Sequence, residues 1–147
     1  MFTYRKIASA AAAFIAVSMI SLSFAAAPKS VVVVALSGEA DQPMKIVANK
    51  KTVKAGLLEF VVTNEAVGTD HEMVLVKLPN KDAQITADKS TQRIDEKNLE
   101  SMGEVAGLKS GDQGKLKVKL AAGEYVLLCN HKAHYELGMT THLTVVN

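Results

Sequence analysis

The stretch Cys129-Asn-His-Lys-Ala-His134-Tyr-Glu-Leu-Gly-Met139 is the most informative part of this 147-residue chain. It places a thiol, an imidazole and a thioether at regular intervals between two strand-like segments. A loop there can bring the three side chains to one centre, and soft sulfur together with imidazole suits copper. A trigonal copper site with a weak axial methionine needs a second histidine, and His71, at the start of an apolar strand, is the natural candidate.

The chain that follows residue 27 has the pattern of an all-β domain. Short apolar runs are separated by turns that contain Gly, Asn or Pro, which is typical of strands at regular spacing. The runs lie at residues 30–36, 44–47, 57–63, 71–78, 115–120, 123–129 and 142–146. One of them, 71–78, is apolar on both faces, as expected of a strand that is covered on both sides. Seven or eight strands at this spacing predict an antiparallel sandwich of two sheets.

Residues 81–102 interrupt this pattern because they are polar and do not alternate. They predict an irregular insertion or one short helix over 91–102, with Ile94, Leu99 and Met102 on one side. The glycine-containing pieces that follow, Gly103-Glu104 and 111–114, are interpreted as turns, with no phosphate-binding pattern around them.

The first 25 residues have the three parts of a secretory signal peptide. Arg5 and Lys6 precede an apolar run over 7–24, and small residues precede a cleavage site after Ala25. An uncleaved anchor is the alternative, since the run has about the minimum length of a membrane-spanning helix. We expect a mature domain at 26–147, in the periplasm and without stable membrane association. Without Arg5 and Lys6 the chain has 15 basic and 15 acidic residues, so it has no general attraction for nucleic acid.

Cys129 is the only cysteine in the chain, so it cannot form an internal disulfide. An odd cysteine in an exported protein is a free thiol, pairs with another chain or binds a metal. A lone cysteine is more often a core residue than a ligand, but His134 and Met139 at these intervals favour ligation. The other two histidines, His131 and His142, are expected at the surface, with His131 exposed to solvent.

The sequence resembles the cupredoxins, the small blue-copper proteins related to plastocyanin and azurin. The resemblance rests on Cys-Asn-x3-His-Tyr-x2-Gly-Met at 129–139, and extends to 55–56, 71–74, 103–105 and 123–129. It implies a Greek-key β-sandwich and one copper ion with His71, Cys129, His134 and Met139 as ligands. This chain departs from many members in having Lys132-Ala133 where they have Pro-Gly, and in carrying the additional His131.

The resemblance implies a monomeric electron carrier rather than an enzyme. Redox protein partners would dock near His134, on a small apolar patch that includes Tyr135, Leu137 and Gly138. The backbone N–H of Glu72 would orient the thiolate. The alternative function is copper delivery, storage or resistance, which the four scattered methionines after residue 27 do not favour. A thiol enzyme with His131 or His134 as base is a third hypothesis, but nothing marks the group that would orient the base.

Overall fold

The computed structural model describes residues 30–39 and 42–147, so the expected signal peptide lies outside the described residues. Within these ranges the chain forms nine strands and a single turn of 3-10 helix, Glu96–Asn98. The strands are β1 (Ser30–Ser37), β2 (Lys45–Ala48), β3 (Thr52–Lys54), β4 (Gly56–Asn64), β5 (His71–Leu78), β6 (Glu100–Leu108), β7 (Gln113–Leu120), β8 (Gly123–Leu128) and β9 (Thr140–Val146). No helix in the described ranges is both long and apolar enough to cross a membrane.

The strands form two sheets with the orders β2-β1-β4-β7 and β3-β9-β8-β5-β6. The predicted all-β sandwich is confirmed, and the topology is compatible with a Greek key. The pairing is mostly antiparallel, but β1 pairs with β4 and β3 pairs with β9 in parallel, so both sheets are mixed. The short helix expected over 91–102 is only one turn, Glu96–Asn98, because Asp95 caps it and Leu99 returns to extended backbone. Residues 100–102, including Met102, belong to β6 instead.

Two strands were not predicted, and each has a physical reason. Strand β3 has only three residues, of which Val53 alone is buried. Strand β6 is a sheet edge with only Val105 and Leu108 buried, so it lacks an apolar pattern.

The interpretation of Gly103-Glu104 as a turn is therefore wrong, since both residues lie within β6. Gly114 belongs to β7, and Gly111 remains in the turn before it. A Cβ atom at Gly103 would lie 2.9 Å from Leu116 Cδ1, and one at Gly114 would collide with Val105. These glycines permit the close approach of β6 and β7, where the two sheets meet.

The main core lies between the sheets, and a second, smaller cluster lies on the outer face of β5 and β8. Strand β5 contributes to both, since Met73 and Leu75 face the main core while Val74 and Val76 face the second cluster. This confirms the prediction of a strand covered on both faces. The β5–β6 segment, residues 79–99, covers the second cluster with Ala87 and other apolar side chains. Fully burying each large apolar side chain stabilises the fold by roughly 1.5–3 kcal/mol.

Candidate metal centre

The ends of β5, β8 and β9 meet at one end of the sandwich and carry the predicted donors. His71 is the first residue of β5, and Cys129 follows the last residue of β8. The N–H of Cys129 donates to the carbonyl of Met139 at 3.1 Å, which extends the β8–β9 ladder by one pair. Cys129 and Met139 therefore lie side by side where the two strands leave the sheet, and both are fully buried.

The metal loop, residues 129–139, is folded into consecutive turns that return His134 towards Cys129. The N–H of His134 donates to His131 O at 3.0 Å, and the N–H of Met139 donates to His134 O at 3.0 Å. Gly138 has φ +91°, a left-handed conformation that glycine adopts without strain. These local bonds let a loop of only eleven residues place a histidine in the middle and a methionine at the end against the same strand termini.

Three of the predicted donor atoms converge in this buried site. His71 Nδ1 lies 3.2 Å from His134 Nδ1, and Cys129 Sγ lies 3.4 Å from His134 Nδ1. All three donor atoms lie within 4.8 Å of one another. In the described part of the chain no other cluster of three or more His, Cys, Asp or Glu donors is found. Ligands at about 2.0–2.3 Å from one ion, spread at 120°, lie about 3.5–3.7 Å apart, so the donor set fits a single metal ion.

The loop between β1 and β2 fixes the orientation of the His71 ring. His71 Nε2 lies 3.1 Å from the carbonyl oxygen of Gly38. Because a carbonyl oxygen only accepts, Nε2 carries the hydrogen and Nδ1 keeps its lone pair directed at the site. Gly38 has φ +124°, and a Cβ there would lie 2.7 Å from Pro43 O. The next residue, Glu39, accepts from Val67 N–H, Gly68 N–H and the Thr69 hydroxyl, which ties this loop to the one before β5.

The thiol lies among apolar side chains but receives two backbone donors. Burial raises the pKa of Cys129 to about 11, although the N–H groups of His131 and Glu72 hydrogen-bond to the sulfur and favour the thiolate. The Glu72 N–H therefore affects the pKa of the thiol in the direction expected of a group that stabilises the thiolate. The Glu72 carboxylate in turn accepts from the Asn130 N–H at 3.0 Å, and this bond links the residues that follow His71 and Cys129.

Burial has the opposite effect on the two imidazoles. It lowers the pKa of His134 to about 4, with the neighbouring His71 as the next cause. It also lowers the pKa of His71, against the effect of the bond to Gly38 O. Both rings are neutral near pH 7, which is the protonation state that a metal ligand requires.

Two residues near the site differ from the sequence expectation. His131 is only partly exposed: its side chain is 30% exposed, because the ring stacks on His134 at 5.4 Å and faces Glu72. His131 is not part of the converging donor set. Tyr135 points away from the expected docking patch, since its hydroxyl donates to Ile85 O at 3.0 Å and its ring packs on the second cluster. His142 is exposed, as expected.

One charged residue near the site could not be found by sequence reasoning. Burial is the main cause of both pKa shifts, upward at Cys129 and downward at His134, and the positive charge of Arg93 in the β5–β6 segment has a smaller effect that lowers both values. Arg93 is 36 positions before Cys129 and lies in the part of the chain that least resembles the family. No spacing or motif links the two residues, so only the fold reveals their proximity.

Comparison with known proteins also indicates a copper-binding protein with this fold. The model of the family "copper binding proteins, plastocyanin/azurin family" matches residues 32–146. No curated protein is similar to the chain in sequence at a significant level. Solved structures of similar fold include reduced auracyanin from the photosynthetic bacterium Roseiflexus castenholzii, with 23% identity over 83% of this chain and 100% of that one and a TM-score of 0.57. They also include auracyanin B, with 22% identity over 84% and 94% and a TM-score of 0.59.

Rusticyanin from Thiobacillus ferrooxidans is a third such structure, with 16% identity over 82% of this chain and 79% of that chain and a TM-score of 0.57. At these identities the structural likeness supports the fold, while the family match covers most of the described residues and includes both segments that carry the converging donors. The chain therefore belongs to the plastocyanin/azurin family of copper-binding proteins, the cupredoxins, and its cofactor is copper.

Proposed function

We propose that this protein is a periplasmic electron carrier with a single type 1 copper site formed by His71, Cys129, His134 and Met139. The observation that carries the proposal is the convergence of two imidazole Nδ1 atoms and one thiol sulfur, 3.2 and 3.4 Å apart, in a buried pocket. Met139 is assigned as the weak axial ligand because it is fully buried beside Cys129. When bound, copper alternates between Cu(I) and Cu(II) and so carries one electron.

The residues around the donors support electron transfer with little change in the geometry of the copper site between its two oxidation states. Gly38 O and the loop contacts of Glu39 hold the His71 ring, and the turns of the metal loop hold His134. The N–H groups of Glu72 and His131 stabilise negative charge on the sulfur. Because these groups are already in place, little rearrangement is needed for electron transfer.

His134 is the proposed route for the electron to the surface. Its side chain is the only partly accessible one of the four assigned ligands, at 8% exposed, whereas the other three are fully buried. Leu137, 56% exposed, and the exposed Gly138 lie in the same loop and offer a small apolar docking surface. Redox encounters bury little area, so a small patch suffices for a monomer that meets its partners transiently.

Copper delivery is less favoured by the same site. A protein that hands over its metal needs accessible donors, whereas Cys129, His71 and Met139 are fully buried. Residues 1–25 are proposed to be a cleaved signal peptide and residues 26–147 the exported domain, which places the copper site outside the cytoplasm.

The test is electron self-exchange of the copper-loaded protein, measured by NMR line broadening in mixtures of reduced and oxidised protein. Leu137→Glu should slow self-exchange, because it places a repelling charge in the docking surface of both molecules. Val31→Glu is the matched control, since Val31 is also an exposed hydrophobic but lies six positions before the site end of β1. Equal self-exchange rates in the two variants would contradict the carrier function. Loss of copper to a chelator during redox cycling of the wild type would contradict it as well.

A further inference from the structure

Three residues of the metal loop form hydrogen bonds with the β5–β6 segment. Asn130 bonds to Ile94, the N–H of Ala133 donates to Gln92 O at 2.8 Å, and Tyr135 bonds to Ile85 O. The three contacts follow the loop from the residue after Cys129 to the residue after His134. This segment is the part of the chain that least resembles the family, whereas Asn130 and Tyr135 lie in the stretch that carries the resemblance.

Asn130 makes the most extensive of these contacts. Its side chain is 5% exposed, and its Oδ1 accepts from the Ile94 N–H at 2.7 Å while its Nδ2 donates to Ile94 O at 3.0 Å. The same Nδ2 donates to Glu96 Oε1 at 2.7 Å. Since Ile94 is itself buried, loss of this amide would leave two buried backbone groups without partners. The Asn130 side chain therefore fixes the segment firmly to the residue next to Cys129.

The second contact joins the two strained residues of the described ranges. Gln92 has φ +55° and Ala133 has φ +68°, and they are the non-glycine residues with positive φ in those ranges. Gln92 ends a tight turn in which its N–H donates to Asp88 O at 2.7 Å. Ala133 occupies the position where many family members have glycine, so here an L-residue with a Cβ adopts the left-handed conformation. Such conformations persist where surrounding contacts hold them, and each residue here holds the other through one hydrogen bond.

Two clefts border the segment. A cleft of about 340 Å³ separates its beginning and its end from β5, lined by Leu78, Ala83 and Leu99 among others. A second cleft of about 200 Å³ lies between Ile85 and Ile94. The position of the segment against the metal loop therefore depends on its hydrogen bonds to Asn130, Ala133 and Tyr135 and not on close packing alone.

We propose that the β5–β6 segment clamps the metal loop, and that Asn130 and Tyr135 are the positioning residues through which it does so. Asn130 holds the chain next to Cys129, while Tyr135 and the Ala133–Gln92 bond hold the chain on either side of His134. The segment thereby supplies the rigidity that the family's Pro-Gly pair would give to this loop. The relevance to copper rests on the proposed function, whereas the mechanical coupling does not.

The test compares two tyrosine variants by amide hydrogen exchange of the metal-free protein. Tyr135→Phe removes the hydroxyl bond to Ile85 O and keeps the ring. Tyr125→Phe is the matched control, because the Tyr125 hydroxyl also donates to a carbonyl, Ala121 O at 2.9 Å, near the opposite end of β8. We expect Tyr135→Phe to speed exchange of the Ala133 and Leu137 amides about five-fold, the effect of one lost neutral hydrogen bond, and the control to leave them unchanged.

Asn130→Ala should have a larger effect, about tenfold or more, on the Ile94, Ala133 and Leu137 amides. The Leu137 N–H bonds to Ala133 O within the loop and not to the segment, so it reports on the loop itself. The copper-loaded variants should also release copper to a chelator faster than the wild type and the Tyr125→Phe control. If Asn130→Ala does not fold, the comparison of Tyr135→Phe with Tyr125→Phe is sufficient to test the proposal.

Two results would overturn the clamp. Unchanged exchange at Ala133 and Leu137 in Tyr135→Phe would show that the loop keeps its structure without this tether. In Asn130→Ala, faster exchange at Ile94 but not at Ala133 or Leu137 would show that the segment contacts the loop without positioning it. A wild-type protein that binds no copper would refute the proposed function, but the exchange data would still decide whether the segment holds the loop.

Discussion

Metal binding should release one proton per ion near neutral pH, and the proton should come from Cys129. In the metal-free protein burial holds the pKa of the thiol at about 11, so the thiol is protonated at pH 7. Burial lowers the pKa of His134 to about 4 and lowers that of His71, so both imidazoles are already neutral. A ligand thiol must lose its proton on binding. The apparent association constant should therefore rise about tenfold for each pH unit between about pH 6 and 8.

Calorimetric titration with Zn(II) measures this proton directly, since Zn(II) binds thiolate and imidazole without oxidising the thiol. The heats in two buffers with different ionisation enthalpies give the number of protons released. Cys129→Ser should release none and should lose the pH dependence, because a serine hydroxyl does not ionise in this range. His131→Ala should still release one proton, which excludes His131 as its source. Two protons from the wild type, or none, would refute the assigned protonation states.

Three further outcomes follow from the assigned ligands and their burial. Met139→Leu should keep copper and its colour but raise the reduction potential, because the thioether slightly favours Cu(II). An unchanged potential in a redox titration would mean that Met139 is a packing residue and not a ligand. His131→Ala should leave the absorption band and the copper stoichiometry intact, and bleaching would instead make His131 a ligand. The metal-free protein should lose up to about 3 kcal/mol of unfolding free energy as the pH falls from about 6.5 to 4, since unfolded His134 binds a proton that the folded residue excludes. Chemical unfolding across this range measures the loss, and His134→Asn should reduce it.

The donor set was accessible to sequence reasoning because its chemistry is local. Cys129, His134 and Met139 lie within one loop, and the strand patterns on either side place that loop at a sheet end. His71 was also proposed, because the copper geometry needs a second histidine and His71 lies at the start of a strand. The structure brings the three His and Cys donor atoms within 4.8 Å of one another, and the assignment of all four ligands remains a proposal that the variants test.

Features that depend on long-range packing were not accessible in the same way. Strand β6 has no apolar alternation because it is an edge strand. Its Gly103 suggests a turn in the sequence, and only the packing of β7 against it explains why a glycine is needed within the strand. The contacts of Asn130 with Ile94 and of Ala133 with Gln92 join the metal loop to residues of a polar segment 36 and 41 positions earlier in the chain. The sequence predicted only that this segment is an irregular insertion or contains one short helix. Its attachment to the metal loop depends on side-chain and backbone hydrogen bonds, which cannot be predicted from the periodicity of apolar residues.

The visible absorption spectrum of the Cu(II)-loaded protein tests the central claim most directly. A thiolate bonded to Cu(II) in a site of two histidines and one cysteine gives an intense blue or green colour. We expect one copper per chain and a strong visible band in the wild type, and we expect Cys129→Ser to be folded but without the band. A wild-type protein that binds Cu(II) without colour, while Cys129 still reacts as a free thiol, would contradict the account.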